Sequence, residues 1–578
     1  MKLILLINFK EDIEMFERSS GILLHPTSLP GKYGIGSLGK EAYKFVDFLK
    51  KANQKLWQIF PLGPTGYGDS PYQCFSTFAG NPYLIDFDLL IEQNLLNEED
   101  LRDVDFGGNE EYIDYGAIYN QKYPLLRKAY DNFKANGNDY LRGKLDAFKA
   151  ENNAWLNDYS LFISLKNHFN GLPWTEWPHD IKVREEAAVN KYREELADDI
   201  EYNNFIQCLF FTQWDNLKKY ANDNGIKIIG DIPIFVAVDS SDAWANPEIF
   251  LFDPELKPVK VAGVPPDYFS ATGQLWGNPL YDWDKLKELN YKWWVDRVRA
   301  NLSTCDIIRI DHFRGFEAYW AVPYGDDTAI NGQWVKGPGI DLFNKIKEEL
   351  GELPIIAEDL GLMTQGVIDL RDATGFPGMK ILGFAFDSEE ENDYLPHTYT
   401  KNCVVYTGTH DNDTLIGWFT KAKDKDKQFA RDYLNSQSDN EIHWDAIRGA
   451  WSSVASMAIA PIQDFLGLGS EARINTPGVA SGNWQWRLKD GVLTDELAER
   501  IANELQIPCY CYEAAARTPE RRNLAICRKG EYEGLPQRMS EAAEAPDYGA
   551  REWDEQLART GCTAVGARDF LIATNFNL

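Results

Sequence analysis

Paired cysteines are missing from this sequence. Its eight cysteines are scattered over 578 residues with no CxxC pair, and only seven histidines are present, none at metal-like spacing from a cysteine. That excludes a disulfide scaffold and the common zinc modules, and it favours a reducing, cytoplasmic compartment. Positive charge is also scarce: 59 Lys and Arg face 89 Asp and Glu, a net charge of −30. Such a surface repels phosphate backbones, which argues against nucleic acid and anionic membrane as partners. No apolar run is long enough to cross a bilayer. The opening MKLILLINFKEDIE is cut off by Lys10, Glu11 and Asp12 and lacks a small-residue cleavage site, so no signal peptide is expected. HExxH, GxSxG and a P-loop are absent. GIGSLG (34–39) has the dinucleotide pattern, but a Pro-containing loop precedes it where a strand is needed, and no acid follows about 20 residues later to hold a ribose.

What is present is a rhythm. GILLHP (21–26), LWQIFPLGP (56–64), IKIIGDIPIFV (226–236), DIIRIDHF (306–313), PIIAEDLG (354–361), KILGFAFD (380–387) and CVVYTGTHDND (403–413) are short apolar runs ending in polar residues, with candidate helices such as DLFNKIKEELG (341–351) between them. Strands alternating with helices imply a parallel sheet, and polar residues at so many strand ends point to a (β/α)8 barrel, whose active site lies at that face. Residues 88–225 break the rhythm. They are rich in Lys, Glu, Asn, Tyr and Trp, with helical spacing in YPLLRKAYDNFKA (123–135), and are expected to form a helical insertion. The end differs again: Cys509, Cys511, Cys527 and Cys562 lie beyond residue 506, and Lys529 is the only lysine after residue 500. That end is read as a poorly specified tail, with an appended small domain as the alternative.

Acids at strand ends carry the chemistry. Asp231 follows IKIIG, Asp311 follows IIRI, Glu358 and Asp359 follow PIIA, and Asp411 follows TGTH. One such acid alone is most often a helix cap or loop anchor. Several converging on one barrel face, beside Arg309, His312 and His410, suit glycoside chemistry, which needs one ionised and one protonated carboxyl. An Asp/Glu/His metal site is the rival reading, weakened by the unpaired spacing of the histidines.

Further stretches identify a family. GPTGYGDSPYQCFSTFAGNPYLI (63–85), GDIPIFV (230–236), GVPPDYFSATGQLWGNPLYDW (263–283), RIDHFRG (309–315), IIAEDLG (355–361), GTHDNDT (408–414) and ARINTPGVASGNWQWR (472–487) resemble the amylomaltases, or 4-α-glucanotransferases, of glycoside hydrolase family 77. The resemblance spans about 19–506 and stops before the cysteine-bearing end, so it implies three parts: an N-terminal extension over 1–18, a catalytic barrel over 19–506 and a C-terminal extension over 507–578. It implies a (β/α)8 fold and a retaining transfer of α-1,4-glucan segments from maltooligosaccharides or starch-type glucans to glucose or another maltooligosaccharide, with no metal or cofactor. It also implies that Asp311 is the nucleophile, Glu358 the general acid/base and Asp411 the transition-state stabiliser. Arg309 would orient Asp311, and His312, His410 and Asp231 would contact hydroxyls. Ser70, Tyr72 and Trp276 match pocket positions, and Tyr67 matches a more distant glucan groove. Loop 263–279 would be an acceptor-side lid carrying Asp267 and Phe269 and anchored by Gln274, while Asn475 is a further candidate contact. A retaining glucan hydrolase of amylase type shares the three carboxylates, and a silent glucan-binding protein is the reading from another class.

Overall fold

The protein is described from a computed structural model covering residues 16–66, 68–137, 139–266, 270–389, 393–479 and 481–504. Twelve strands follow in chain order: β1 (Ser19–Leu23), β2 (Leu56–Gln58), β3 (Lys227–Ile232), β4 (Lys260–Val264), β5 (Gln274–Pro279), β6 (Ile307–Ile310), β7 (Ala318–Pro323), β8 (Gln333–Lys336), β9 (Ile355–Ala357), β10 (Gly378–Ile381), β11 (Cys403–Tyr406) and β12 (Met457–Pro461). Eight of them form one sheet in the order β10-β11-β12-β1-β2-β3-β6-β9, and every neighbouring pair is parallel. The two ends of that order meet where Ala357 N donates to Pro377 O at 3.0 Å, so the sheet curls into a (β/α)8 barrel.

The barrel strands are buried almost throughout, as strands covered on both faces must be, and this is why they read as continuous Ile/Val/Leu runs. Gly21 shows how tight the packing is, since a Cβ there would lie 2.4 Å from the Leu56 Cβ. The seven runs read from sequence overlap seven of the eight strands, although β1 and β10 each begin two residues before their run. The missed strand is β12, in SMAIAPIQDF, which is as apolar as the others but ends in proline before its acid.

Between β2 and β3 the chain forms a block of helices, chiefly Tyr115–Asn136, Asp139–Glu151, Asn153–His168, Glu186–Glu195 and Ala197–Asp223. The last of these holds the segment after β2 by side-chain amides. Gln207 receives Gly80 N at 2.8 Å and donates to Gly80 O at 2.9 Å, while Gln213 does the same for Asp86 at 2.8 and 3.1 Å. Irregular backbone thus gets the paired hydrogen bonds that a neighbouring strand would have supplied.

A second, antiparallel sheet, β5-β4-β7-β8, stands at the mouth of the barrel. It narrows the expected lid. Gln274–Pro279 is strand β5, so Gln274 and Trp276 ride on a strand and the connection between β4 and β5 is reduced to residues 265–273. Asp267 and Phe269 lie outside the described residues, as do Tyr67, residues 1–15 of the expected N-terminal extension and residues 505–578.

Candidate active site

Parallel register places the first acids side by side. Asp231 on β3 is the Cα partner of Arg309 on β6, and β6 is flanked on its other side by β9, which ends one residue before Glu358. Arg309, only 4% exposed, forms a buried ion pair with Asp231 and donates through Nη2 to Asp311 Oδ1 at 2.9 Å. One guanidinium therefore serves two carboxylates, and its fork fixes both orientations. Charged residues can therefore stand in and just after the apolar strand β6: Arg309 is inside, paired, and Asp311 is at the rim.

Glu358 is buried beside them. Its Oε2 receives His312 N at 2.7 Å and its Oε1 receives Leu360 N at 2.8 Å. Burial, reinforced by the negative charge of Asp311, pushes its carboxyl up to about 8, against the pull of Arg309 and the two N–H donors. His312 sits at φ 50°, a left-handed conformation that points its N–H at Glu358. Burial also pushes the Asp231 carboxyl up, with Asp311 adding to the effect, while Arg309 and the Tyr72 hydroxyl oppose it.

On the other side, Tyr72 donates to Asp231 Oδ2 at 2.8 Å and stacks on His410, with ring centroids 4.9 Å apart. His410 Nε2 lies 3.4 Å from Asp411 Oδ2, and Asn475 Nδ2 donates to Asp411 Oδ1 at 2.6 Å. Burial lowers the basicity of His410, and it lowers His312 to about 4, so both rings are neutral near pH 7 and present one N–H and one lone pair each. Trp276 meets His312 edge to face at 4.8 Å, and its indole Nε1 donates to Gln274 Oε1 at 3.1 Å. Ser70 Oγ receives Tyr72 N at 3.3 Å, which shapes the turn behind Tyr72. The structure thus brings Tyr72, Asp231, Arg309, Asp311, His312, Glu358, His410, Asp411 and Asn475 into one linked cluster, with Trp276, Gln274 and Ser70 at its edges.

Three supporting residues were not anticipated. Arg473 donates to the backbone oxygen of Asp411 at 2.5 Å. Asp464 receives Thr407 Oγ1 at 2.6 Å and Leu415 N at 2.8 Å, bracketing the loop that carries His410 and Asp411. Asp464 follows β12 and obeys the same strand-end rule as the other acids. Trp484 packs on Tyr72, His410 and Phe60 at 5.8, 5.5 and 5.8 Å while held at φ 64°, and no sequence rule foretells a bulky residue there. Among the described residues, no group of three or more His, Cys, Asp or Glu side chains could hold a metal ion.

A family model described as 4-alpha-glucanotransferase matches residues 24–494. A second model, the N-terminal subdomain of the formiminotransferase domain, matches residues 489–568. The chain is similar to the 4-alpha-glucanotransferase of Clostridium butyricum, at 55% identity over 84% of this chain and 100% of that one. It is similar also to that of Thermus thermophilus, at 50% identity over 84% of this chain and 97% of the other. Among solved structures, the amylomaltase from Streptococcus agalactiae in complex with acarbose superposes with a TM-score of 0.83 at 42% identity, over 85% of this chain and 99% of that one.

Proposed function

The chain belongs to the 4-α-glucanotransferase family and is an enzyme of that type, and from this premise we propose that Asp311, Glu358 and Asp411 carry a retaining double displacement on α-1,4-glucans. Asp311 Oδ attacks C1 of a glucose unit as the C1–O bond to the leaving sugar breaks, and Glu358 gives its proton to the departing 4-oxygen. Glu358, now ionised, takes the proton from the 4-hydroxyl of an incoming sugar, whose oxygen attacks C1 and releases Asp311. Two inversions return the α configuration. Donors are maltooligosaccharides or starch-type glucans, and acceptors are glucose or maltooligosaccharides.

The observation that carries this reading is the contrast between two neighbouring carboxyls. Asp311 has a guanidinium at 2.9 Å, whereas Glu358 is buried and pushed up to about 8. These opposed environments support the reading of Asp311 as the nucleophile and Glu358 as the acid. Asp411, fixed by Asn475 and adjacent to His410, is placed to bind ring hydroxyls more strongly as the sugar flattens toward its oxocarbenium-like transition state. Asp231 Oδ1 has no partner although it is buried, an acceptor of the kind a substrate hydroxyl or water satisfies. The Trp276 and Tyr72 rings offer apolar faces to glucose. Tyr67, Asp267 and Phe269 are assigned by family resemblance alone. The described cysteines, Cys74, Cys208, Cys305 and Cys403, are free thiols, which supports a cytoplasmic setting; no described helix is long and apolar enough to cross a membrane.

A Glu358→Gln variant given α-maltosyl fluoride tests the assignment. Fluoride leaves without an acid, so the first step proceeds, while the missing base stalls the second. Mass spectrometry should find maltose bound to the peptide containing Asp311. Label on another residue, or no label with fluoride still released, would overturn the assignment.

A further inference from the structure

Arg314, in the charged run after β6, takes no part in the chemistry above. Its residue is 5% exposed, and its guanidinium makes no hydrogen bond with any described residue; Nε is buried without a partner. It lies instead against a ring, with the guanidinium carbon 3.9 Å from the centroid of Trp334. Burial disfavours its charge and the nearby Glu317 carboxylate only partly offsets that, so the stacking adds to its stabilisation, and a planar guanidinium on an indole is a strong form of that contact.

Trp334 sits on β8, the edge strand of the antiparallel sheet, and is 39% exposed. Its cross-strand partner is Trp320, whose ring meets it edge-on at 5.2 Å. Trp320 is fixed by donating Nε1 to Ala329 O at 2.8 Å, and Ala329 N donates in turn to Thr272 O at 3.1 Å, at the base of the 265–273 loop. Tyr324 and Ile330, nearby on the connecting turn, are exposed as well. The platform is therefore rigid, bonded to the lid base, and partly open to solvent. It is also near the chemistry. Arg314 follows Asp311 by three residues, so their Cα atoms are within roughly 10 Å, and the intervening His312 touches Trp276.

We propose that Trp334, backed by Arg314 and Trp320, is an outer subsite that stacks on a glucose unit of a long α-1,4-glucan beyond the catalytic pocket. This rests on the glucanotransferase reading for its ligand. A sugar ring lying on the open indole surface replaces water there. A subsite beyond the pocket adds affinity only to a glucan long enough to fill both, so maltoheptaose gains from it and a maltotriose held in the pocket does not.

The test is calorimetric binding of maltoheptaose and of maltotriose to full-length Glu358→Gln, with and without Trp334→Ala or Trp334→Phe. The affinity ratio of maltoheptaose to maltotriose should fall about three- to tenfold in Trp334→Ala, and Trp334→Phe, which keeps a flat ring, should recover most of it. An unchanged ratio overturns the subsite. So does an equal loss for both sugars with a lowered melting temperature, which would make Trp334 a structural residue only. Wild-type enzyme that fails to redistribute maltotriose, alongside a ratio that still depends on Trp334, would sink the transferase reading and leave the subsite standing.

Discussion

Glu358 is held between opposed influences, and the balance sets the pH behaviour of the enzyme. Two N–H donors and Arg309 favour its ionised form, while burial and the neighbouring Asp311 favour the neutral one and prevail, at about 8. A general acid must start protonated, so kcat/KM should fall as pH rises through about 8, and a profile flat well above that would contradict the assignment. The stability sign runs the same way. The folded carboxyl is raised above its unfolded value of about 4.3, so Glu358 contributes stability that is present at low pH and lost as pH rises through the interval to about 8. Asp311→Asn and Glu358→Gln should each lower transfer on the order of 10²–10⁴-fold, with melting temperatures near wild type. Asn475→Ala removes a 2.6 Å bond to a carboxylate. Hydrogen bonds to charged groups are worth about 1.5–3 kcal/mol, so kcat should drop roughly 10- to 100-fold with a smaller change in KM. An Asn475→Ala enzyme with normal kcat would show that Asp411 is oriented without it.

At the scale of elements, strand ends supply the groups proposed as catalytic, and tight strand packing keeps them in register. Gly21→Ala is expected to cost about 1–3 kcal/mol, because its Cβ would meet the Leu56 side chain and backbone oxygen, and neither can retreat within the sheet. A melting temperature unchanged by that substitution would mean β1 and β2 can separate more freely than their packing implies. The barrel was legible in the sequence because each of its strands is a short buried run closed by polar residues. The antiparallel sheet was not, since PPDYFSATG dominates its first half and AYWAVP and QWVK are too short and too mixed to stand out. The segment 263–279 was accordingly read as one loop, although Trp276 and Gln274 belong to β5. The carboxylates, Arg309 and the histidines were legible from motif and position. Arg473 and Trp484 were not, because their roles come from tertiary contacts with Asp411 and with Tyr72 and His410 that no local spacing encodes.

Over the whole molecule, the helical block and the barrel close on the site together. The segment carrying Trp484 pairs with residues just ahead of the first long insertion helix: Ile113 N donates to Gln485 O at 2.8 Å, Arg487 N to Glu111 O at 2.7 Å, and the Tyr115 hydroxyl to Trp484 O at 2.9 Å. The insertion thereby holds a tryptophan at positive φ against the rings of Tyr72 and His410. The family match ends at residue 494, and the Clostridium butyricum relative is covered over its full length by 490 aligned residues. Nothing beyond that span is needed to complete a known glucanotransferase, so deleting residues 507–578 should leave transfer activity and melting temperature essentially unchanged. A large fall in either would tie the C-terminal extension to the barrel. The central claim is that a sugar, rather than water, takes the glucan from Asp311, and incubation with maltotriose followed by chromatography and a reducing-end assay tests it most directly. Glucose and a ladder of longer maltooligosaccharides with no net gain of reducing ends is the result expected of a transferase; reducing ends rising with every bond broken, and no product longer than maltotriose, would contradict it.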